Sequence, residues 1–211
     1  VASITSNFNQ GTVDVTGLDL DLAIEGGALP NAGGFFEVTD SATGELFYTR
    51  AGSYETNAAG VVVTRDRFRY QLQGQDGALL LGAQADETLL ARRVEEDGKI
   101  NLLVNKEGQD TLRAAGQVKL VNFSAPQYLR RVGNGYFSNG LAGQDIAGKL
   151  DNPLPTIGSN GKIRQYALEL SNVDLTNEFA SMITHQRSFQ AGSRVVTTSD
   201  MILSEAVNLK R

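Results

Sequence analysis

Few side chains in this sequence are of the types that catalyse reactions or bind metals. The chain has a single histidine, His185, and no cysteine, which excludes disulfides, thiolate metal sites and cysteine nucleophiles. A histidine without further ligands at metal-binding spacing does not predict a metal site. Asp19 and Asp21 share one face of a predicted strand and could act as a carboxylate pair, although a solvated strand face explains this spacing more simply. We therefore expect no enzyme, no cofactor and no metal.

The composition is typical of a folded globular protein with one large or two modest domains. Of the 211 residues, 41% are apolar and 20% are charged, and the net charge is -5. No apolar run approaches the roughly 20 residues of a membrane-spanning helix, and the basic residues form isolated pairs rather than a basic face. We expect neither membrane insertion nor nucleic-acid binding.

The sequence begins with Val1 rather than methionine, and its first residues do not form a secretory signal. We expect the natural N-terminus to lie further upstream.

Most of the chain has the pattern of short antiparallel β-strands. Between residues 13 and 25, apolar residues alternate with acidic ones, which predicts strands with one face in a core and the other in water. Glycine-containing turns recur at short intervals, and the Asp97-Gly98 pair predicts a hairpin. Residues 117–123 predict a further strand, and residues 163–170 predict a strand or an extended segment before a helix.

The last part of the chain, residues 174–211, predicts one long α-helix. Asp174 is suited to cap its first turn, and Glu178 places a negative charge near the positive end of the helix dipole. Apolar residues recur with a seven-residue step, interrupted by polar residues at intervening positions; this pattern is typical of a helix that presents a narrow stripe to another helix. We name this stripe the seam, and its predicted contact residues are Phe179, Met182, Phe189, Val196, Leu203 and Val207.

These patterns predict a mainly β fold with a long C-terminal α-helix: an antiparallel β-rich domain of short strands and hairpins, plus a coiled-coil-type terminal helix. The predicted domains are a β-rich core domain at 1-165, with an irregular loop at 139-162, and a helical segment at 166-211. At roughly 50 Å, the helix is longer than a small β domain needs. The seam therefore either binds a surface outside the domain or packs on the chain's own β domain.

Motifs along almost the whole chain resemble those of the bacterial flagellar hook and rod proteins, in the same order. The N-terminal motifs are Phe-Asn-Gln-Gly-Thr at 8–12, Leu-Asp-Leu-Ala-Ile at 20–24, Gly-Phe-Phe-Glu-Val at 34–38 and Tyr-Thr-Arg-Ala-Gly-Ser-Tyr at 48–54. Later motifs are Gly-Gln-Val-Lys-Leu-Val-Asn-Phe at 116–123, Ser-Asn-Val-Asp-Leu at 171–175 and Met-Ile-Thr-His-Gln-Arg at 182–187. An insertion at 28–32 departs from the family pattern.

The resemblance implies a structural subunit of the flagellar axial structure, exported beyond the cytoplasm by the flagellar type III apparatus. Members of the family self-assemble into a helical tube for motility. The C-terminal helix pairs with an N-terminal helix in an inner layer, and the β-rich domain lies outside that layer. The implied partners are further copies of the chain and adjacent flagellar rod, hook and junction proteins, in the hook or the basal body.

Within the family, the sequence favours a hook-type protein, with the distal rod protein as the alternative. The two ends of the chain are more similar to hook protein, whereas residues 75–115 are too few for the additional outer domain of a typical hook protein. A hypothesis from another class is a secreted β-rich binding module. Its ligand face would contain Tyr48, Tyr54, Phe68 and Tyr70, although core packing is the simpler explanation for aromatic residues on strands.

Overall fold

The computed structural model describes residues 6–26, 34–82, 87–106, 108–140, 145–150 and 161–209. Within these residues the chain forms short β-strands, one 3₁₀ turn and one long helix, so the predicted mainly β fold with a long C-terminal α-helix is confirmed. The first strands are β1 (Val13–Val15), β2 (Leu22–Glu25), β3 (Phe35–Thr39), β4 (Leu46–Thr49), β5 (Tyr54–Thr56), β6 (Val62–Thr64), β7 (Gln71–Gly74) and β8 (Gly77–Ala78). The remaining elements are β9 (Thr88–Val94), β10 (Lys99–Lys106), β11 (Gln109–Gln117), β12 (Leu120–Phe123), the 3₁₀ turn (Pro126–Tyr128), β13 (Arg130–Gly133), β14 (Tyr136–Ser138), β15 (Lys149–Leu150), β16 (Lys162–Gln165), β17 (Ala167–Glu169) and α1 (Leu175–Asn208).

Every strand pair in the described residues is antiparallel. The largest sheet has ten strands, with the order β13-β14-β4-β3-β7-β6-β5 and with β8, β12 and β15 attached to it. A three-stranded sheet has the order β11-β10-β9, and two ribbons pair β1 with β17 and β2 with β16. The Asp97-Gly98 hairpin joins β9 to β10 as predicted, and β16 and β17 occupy the predicted extended segment.

Strand β3 lies between two apolar clusters and contributes to both. Phe35 and Phe36 are neighbours, so their side chains point to opposite faces of the sheet. Phe36 meets Tyr54 of the larger cluster with ring centroids 5.6 Å apart, and Phe35 meets Phe123 of the smaller cluster at 5.8 Å. Both rings are fully buried. The core of the β-strands is therefore built on both faces of β3.

Asp21 does not face water, and the prediction that the acidic side of the first strands is solvated was wrong at this residue. The Asp21 side chain is 1% exposed, and its Oδ1 lies 3.4 Å from Nη2 of Arg65. The same oxygen accepts a hydrogen bond of 3.5 Å from the hydroxyl of Ser53. A buried carboxylate is stable in a protein only when such partners replace water.

The predicted strand at 117–123 is interrupted, and this prediction was also wrong in part. β11 ends at Gln117 and β12 begins at Leu120. Between them, Val118 forms only an isolated bridge with Gly74. The chain leaves the three-stranded sheet at β11 and enters the ten-stranded sheet at β12. The apolar alternation continues across the break because Val118 and Leu120 belong to the same apolar cluster.

The chain divides into two compact units, Val1–Ser171 and Asn172–Arg211, which we name the β unit and the helix unit. β17 belongs to the β unit because it pairs with β1. The predicted domain boundary between 165 and 166 stays a prediction, since compactness does not show which segment folds independently. The predicted insertion at 28–32 lies outside the described residues, as does most of the predicted loop at 139-162, where 145–150 include β15.

Glu37 of β3 is a buried carboxylate held between two lysines. Its Oε1 lies 2.5 Å from Nζ of Lys119, and its Oε2 lies 2.5 Å from Nζ of Lys149. The Glu37 side chain is 3% exposed. Lys149 Nζ also lies 3.4 Å from the hydroxyl of Tyr48, whose pKa is raised by burial and by the nearby Glu37 carboxylate. These contacts tie β3 and β4 to residues far along the chain.

We expect Glu37→Ala to lower the free energy of unfolding by about 3 kcal/mol, because two partly buried ammonium groups lose their counter-charge. Urea unfolding of the monomer measures the change. The control is Glu45→Ala, at an exposed carboxylate of the neighbouring turn, which should change the free energy by less than about 0.5 kcal/mol. Equal losses for the two variants would show that the Glu37 ion pairs do not stabilise the fold.

Candidate assembly interface

α1 is a 34-residue helix that begins at Leu175 and ends at Asn208. At 1.5 Å per residue its length is about 51 Å, as predicted. Asp174 caps it: the carboxylate accepts hydrogen bonds from the backbone N–H of Thr176 at 2.9 Å and of Asn177 at 3.4 Å. These bonds satisfy amides that have no partner within the helix. The predicted long helix and its N-cap are confirmed.

The seam residues lie along one side of α1. Because successive residues turn by about 100°, a seven-residue step returns to within about 20° of the same direction. All the predicted seam side chains are exposed, from 53% for Met182 to 81% for Phe189. A single helix has no interior in which to bury such a stripe. The helix places the seam residues along one exposed side. It stays a prediction that the seam contacts another surface.

Several exposed apolar residues of α1 lie outside the predicted seam. Leu175 begins the same seven-residue step that contains Met182, and it too is exposed. About 100° around the helix from Val196 and Leu203, their neighbours Val195 and Ile202 begin a second exposed series with a seven-residue step, which ends at Leu209 just after α1. The signal was present in the spacing, but the prediction followed only the step through Met182. The C-terminal half of α1 thus has apolar side chains on two sides.

His185 lies beside the seam, in a shallow groove of α1 that is also lined by Glu178, Met182 and Phe189. Among the described residues, no group of three or more histidine, aspartate or glutamate side chains is placed to hold a metal ion. In the same part of the chain, no helix has both the length and the apolar composition to cross a membrane. His185 therefore has the position of a seam-flanking residue.

The structure does not join Asp19 and Asp21 into a carboxylate pair. Asp19 Oδ2 lies 2.9 Å from Nη1 of Arg92 on β9, whereas Asp21 binds Arg65. Each carboxylate therefore forms an ion pair with a different arginine. Such ion pairs connect β2 and its preceding turn to other strands, which is a structural role.

The aromatic residues of the binding-module hypothesis do not form one ligand face. Tyr54 is buried in the larger apolar cluster and Tyr48 in the smaller one. Phe68 stacks on Tyr70 with centroids 5.3 Å apart, and its ring is also covered by the guanidinium of Arg67 at 4.7 Å. Two of the four rings are therefore part of the core, and Phe68 packs against neighbouring side chains of the protein itself.

In the β unit, the segment just before β1 lies beside the segment just after β17. In the ribbon of β1 and β17, the backbone N–H of Leu170 donates a hydrogen bond of 2.8 Å to the carbonyl oxygen of Thr12. Arg50 reinforces the ribbon, because its Nη1 donates to the carbonyl oxygen of Phe8 at 3.0 Å and lies 3.3 Å from Oε1 of Glu169. The segment that leads towards α1 is therefore fixed to the N-terminal part of the β unit.

Two family models match parts of the chain. Residues 31–102 match the model described as the flagellar hook protein FlgE/F/G D1 domain. Residues 164–209 match the model described as the flagellar basal body rod FlgEFG protein C-terminal. The second match includes all of α1 and its Asp174 cap.

Similar proteins match over most of the chain. The chain is 35% identical to the flagellar basal-body rod protein FlgG of Bacillus subtilis, and the alignment covers 96% of this chain and 73% of that protein. It is 30% identical to FlgG of Caulobacter vibrioides, with 95% of this chain and 68% of that protein covered. It is 37% identical to the flagellar hook protein FlgE of Helicobacter pylori, but this alignment covers 62% of the chain and 17% of that protein.

We expect the amides of residues 180–208 to exchange rapidly with deuterium in the dilute monomer and slowly in an assembled sample. A helix that lacks a packing partner is only marginally stable in water. Hydrogen–deuterium exchange with mass spectrometry measures both states, and the amides of β10 serve as the internal control, protected in each. Strong protection throughout 180–208 in the dilute monomer would contradict this expectation.

Proposed function

The chain belongs to the family of flagellar basal-body rod and hook proteins, and on this basis we propose that it is a rod-type subunit of the flagellar axial structure. Its place is the bacterial flagellum, beyond the cytoplasm, and its role is structural. The observation that carries the rod assignment is the alignment with the rod protein of Bacillus subtilis, which covers nearly all of this chain and most of that protein.

Alignment length favours the rod over the hook. The rod relatives named above align along at least 95% of this chain, whereas the hook relative shares 62% of it and uses only 17% of its own length. The hook interpretation, which the ends of the sequence favoured, is thus less well supported than its distal rod alternative. The C-terminal family model describes FlgE, FlgF and FlgG together, so similarity at that end does not separate a hook protein from a rod protein.

The seam is the polymerisation contact in this proposal. Burial of one large apolar side chain contributes about 1.5–3 kcal/mol, so several seam residues together could hold an exposed helix against neighbouring subunits. Gln186, Ser193 and Asp200 interrupt the stripe, which favours a contact with more than one neighbouring surface over a simple two-stranded coiled coil. The partners are further copies of the chain and adjacent flagellar axial proteins. Contacts between unlike surfaces, repeated without closure, build a helical tube.

We expect Phe189→Asp to prevent assembly of the full-length protein and to leave the β unit folded. The charge would have to be buried in the contact, at a large desolvation cost. Sedimentation velocity measures assembly, and thermal unfolding by near-ultraviolet circular dichroism measures the β unit.

The matched control is Ala180→Asp, which adds the same carboxylate to the side of α1 opposite Phe189, in the half of the helix before the series through Val195 begins, and should leave assembly nearly unchanged. Melting of the β unit in Phe189→Asp would instead show that the seam packs on the chain's own β unit.

We expect antibodies against the β unit to label the rod of purified hook–basal-body particles and not the hook. The rod assignment rests on whole-chain similarity, so the label should follow the basal body after the hook is sheared off. Immunogold electron microscopy makes the measurement, and antibodies against the same organism's hook protein provide the control. A label confined to the hook would exclude the rod assignment and leave the family membership intact.

A further inference from the structure

The three-stranded sheet of the β unit has one face in the core and one face uncovered. On β10, the buried residues Ile100, Leu102 and Val104 point inwards, and Leu103 between them points outwards. Leu103 is paired with Leu112 of β11, which is 72% exposed. We name the outer surface the leucine face, and its apolar residues are Leu90, Ala91, Leu103, Leu112 and Ala114.

The core residues of this sheet come from its inner face, which contributes Ile100, Leu102 and Val104 to the larger apolar cluster. Leu90 lies where the pairing of β9 with β10 shifts its register, and half of its surface is exposed. β11 is an edge strand, and no described strand pairs with its outer side. An exposed apolar face beside an open edge favours association with another protein surface.

One unpaired cation borders the leucine face. Arg93 of β9 is exposed, and within the described part of the chain its guanidinium makes no hydrogen bond or ion pair. At the other end, Asp110 is engaged by Asn105, whose Nδ2 lies 2.6 Å from its carboxylate. The leucine face is therefore apolar, with the guanidinium of Arg93 at one end, where the carboxylate of Glu95 accepts a hydrogen bond of 2.9 Å from Nδ2 of Asn101.

The ribbon of β1 and β17 has the opposite charge. Asp14 lies in the middle of β1, paired across the ribbon with Leu168. It is exposed, and its carboxylate has no partner among the residues that the structure describes. Tyr166 and Leu170, each two residues from the cross-strand partner Leu168, are large exposed apolar side chains near it. We name this surface the acidic ribbon.

We propose that the leucine face of one copy docks on the acidic ribbon of a second copy, with Arg93 opposite Asp14. Arg93 and Asp14 are exposed groups of opposite charge. Both surfaces carry exposed apolar side chains, and both belong to the same β unit. Contact between unlike surfaces of identical chains repeats from copy to copy without closing. The inference rests on the proposed function, because an axial subunit must contact its own copies, and it assigns a second contact that does not involve the seam.

A charge exchange tests the pair directly. Arg93→Glu and Asp14→Arg should each raise the protein concentration needed for half-maximal assembly about tenfold, because like charges then face each other. The variant with both substitutions re-forms the pair with reversed polarity, and assembly should return to within about threefold of the wild type. Arg130→Glu is the matched control, because Arg130 is an exposed arginine of β13 without a side-chain partner among the described residues. Failure of the double variant to recover would overturn the pairing.

A second substitution tests the apolar part of the contact. Leu112→Asp should raise the half-assembly concentration about tenfold or more, while the monomer's Tm stays within a few degrees of the wild type. Tyr128→Asp is its control, since Tyr128 is 62% exposed and lies outside the leucine face. Equal effects of the two substitutions would overturn the proposal.

Crosslinking identifies the occupant, because the chain has no cysteine of its own. Full-length chains with Ala114→Cys are mixed with chains with Thr16→Cys and treated with a short bismaleimide, because both residues are exposed and leave Leu112 and Asp14 intact. Crosslinked dimers should form in the mixture under assembling conditions, and neither variant alone should give them. Assembly without this crosslink, or a crosslink of Ala114→Cys with itself or with another flagellar protein, overturns the proposal.

The outcomes separate this inference from the proposed function. Assembly that is blocked by Phe189→Asp but is unaffected by Arg93→Glu and Leu112→Asp overturns the inference and leaves the proposed function standing. A wild-type protein that never assembles overturns both.

Discussion

A helix cannot bury an apolar side chain against itself, and this constraint governs the helix unit. The stripe from Phe179 to Val207 costs free energy in water that only another surface removes. The β unit differs, because its aromatic and aliphatic core is enclosed on both faces of β3. The chain thus combines a unit whose core is enclosed with a helix whose apolar stripe is exposed. Under the proposed function, the first unit keeps its shape while the second forms the contacts.

The ionisable groups that first suggested chemistry act as links within the fold. Asp21 is held by Arg65, Asp19 by Arg92, and Glu37 by lysines from two later segments. Each pair joins elements that are distant in sequence, and burial makes the loss of one partner costly. The aromatic rings are used in the same way, since Phe123 of β12 meets Phe35 of β3 and Tyr48 of β4. Charge and aromaticity in the β unit therefore serve cohesion between strands.

Local patterns allowed parts of the structure to be predicted, and contacts between distant residues caused the errors. The Asp174 cap, the helix and the Asp97-Gly98 hairpin follow from neighbouring residues, so the sequence sufficed for them. The burial of Asp21 depends on Arg65, which no local pattern links to it. The break between β11 and β12 was hidden because the apolar alternation continues while the chain changes sheet. Leu175 and the series through Val195 were visible in the spacing and were overlooked. Support for a rod protein over a hook protein came from the share of each relative that aligns with this chain.

The pairing of β1 with β17 determines how the β unit bears mechanical load. Thr12 and Leu170 lie at the same end of the ribbon. A force that separates the two strands at that end would therefore break the residue pairs one after another, starting with Val13 and Glu169. A force that pulls both strands in the same direction does not separate these residue pairs. Arg50, bound to both sides, resists the first kind of force. The torsional stiffness of an assembled shaft would then depend on keeping these two strands moving as one.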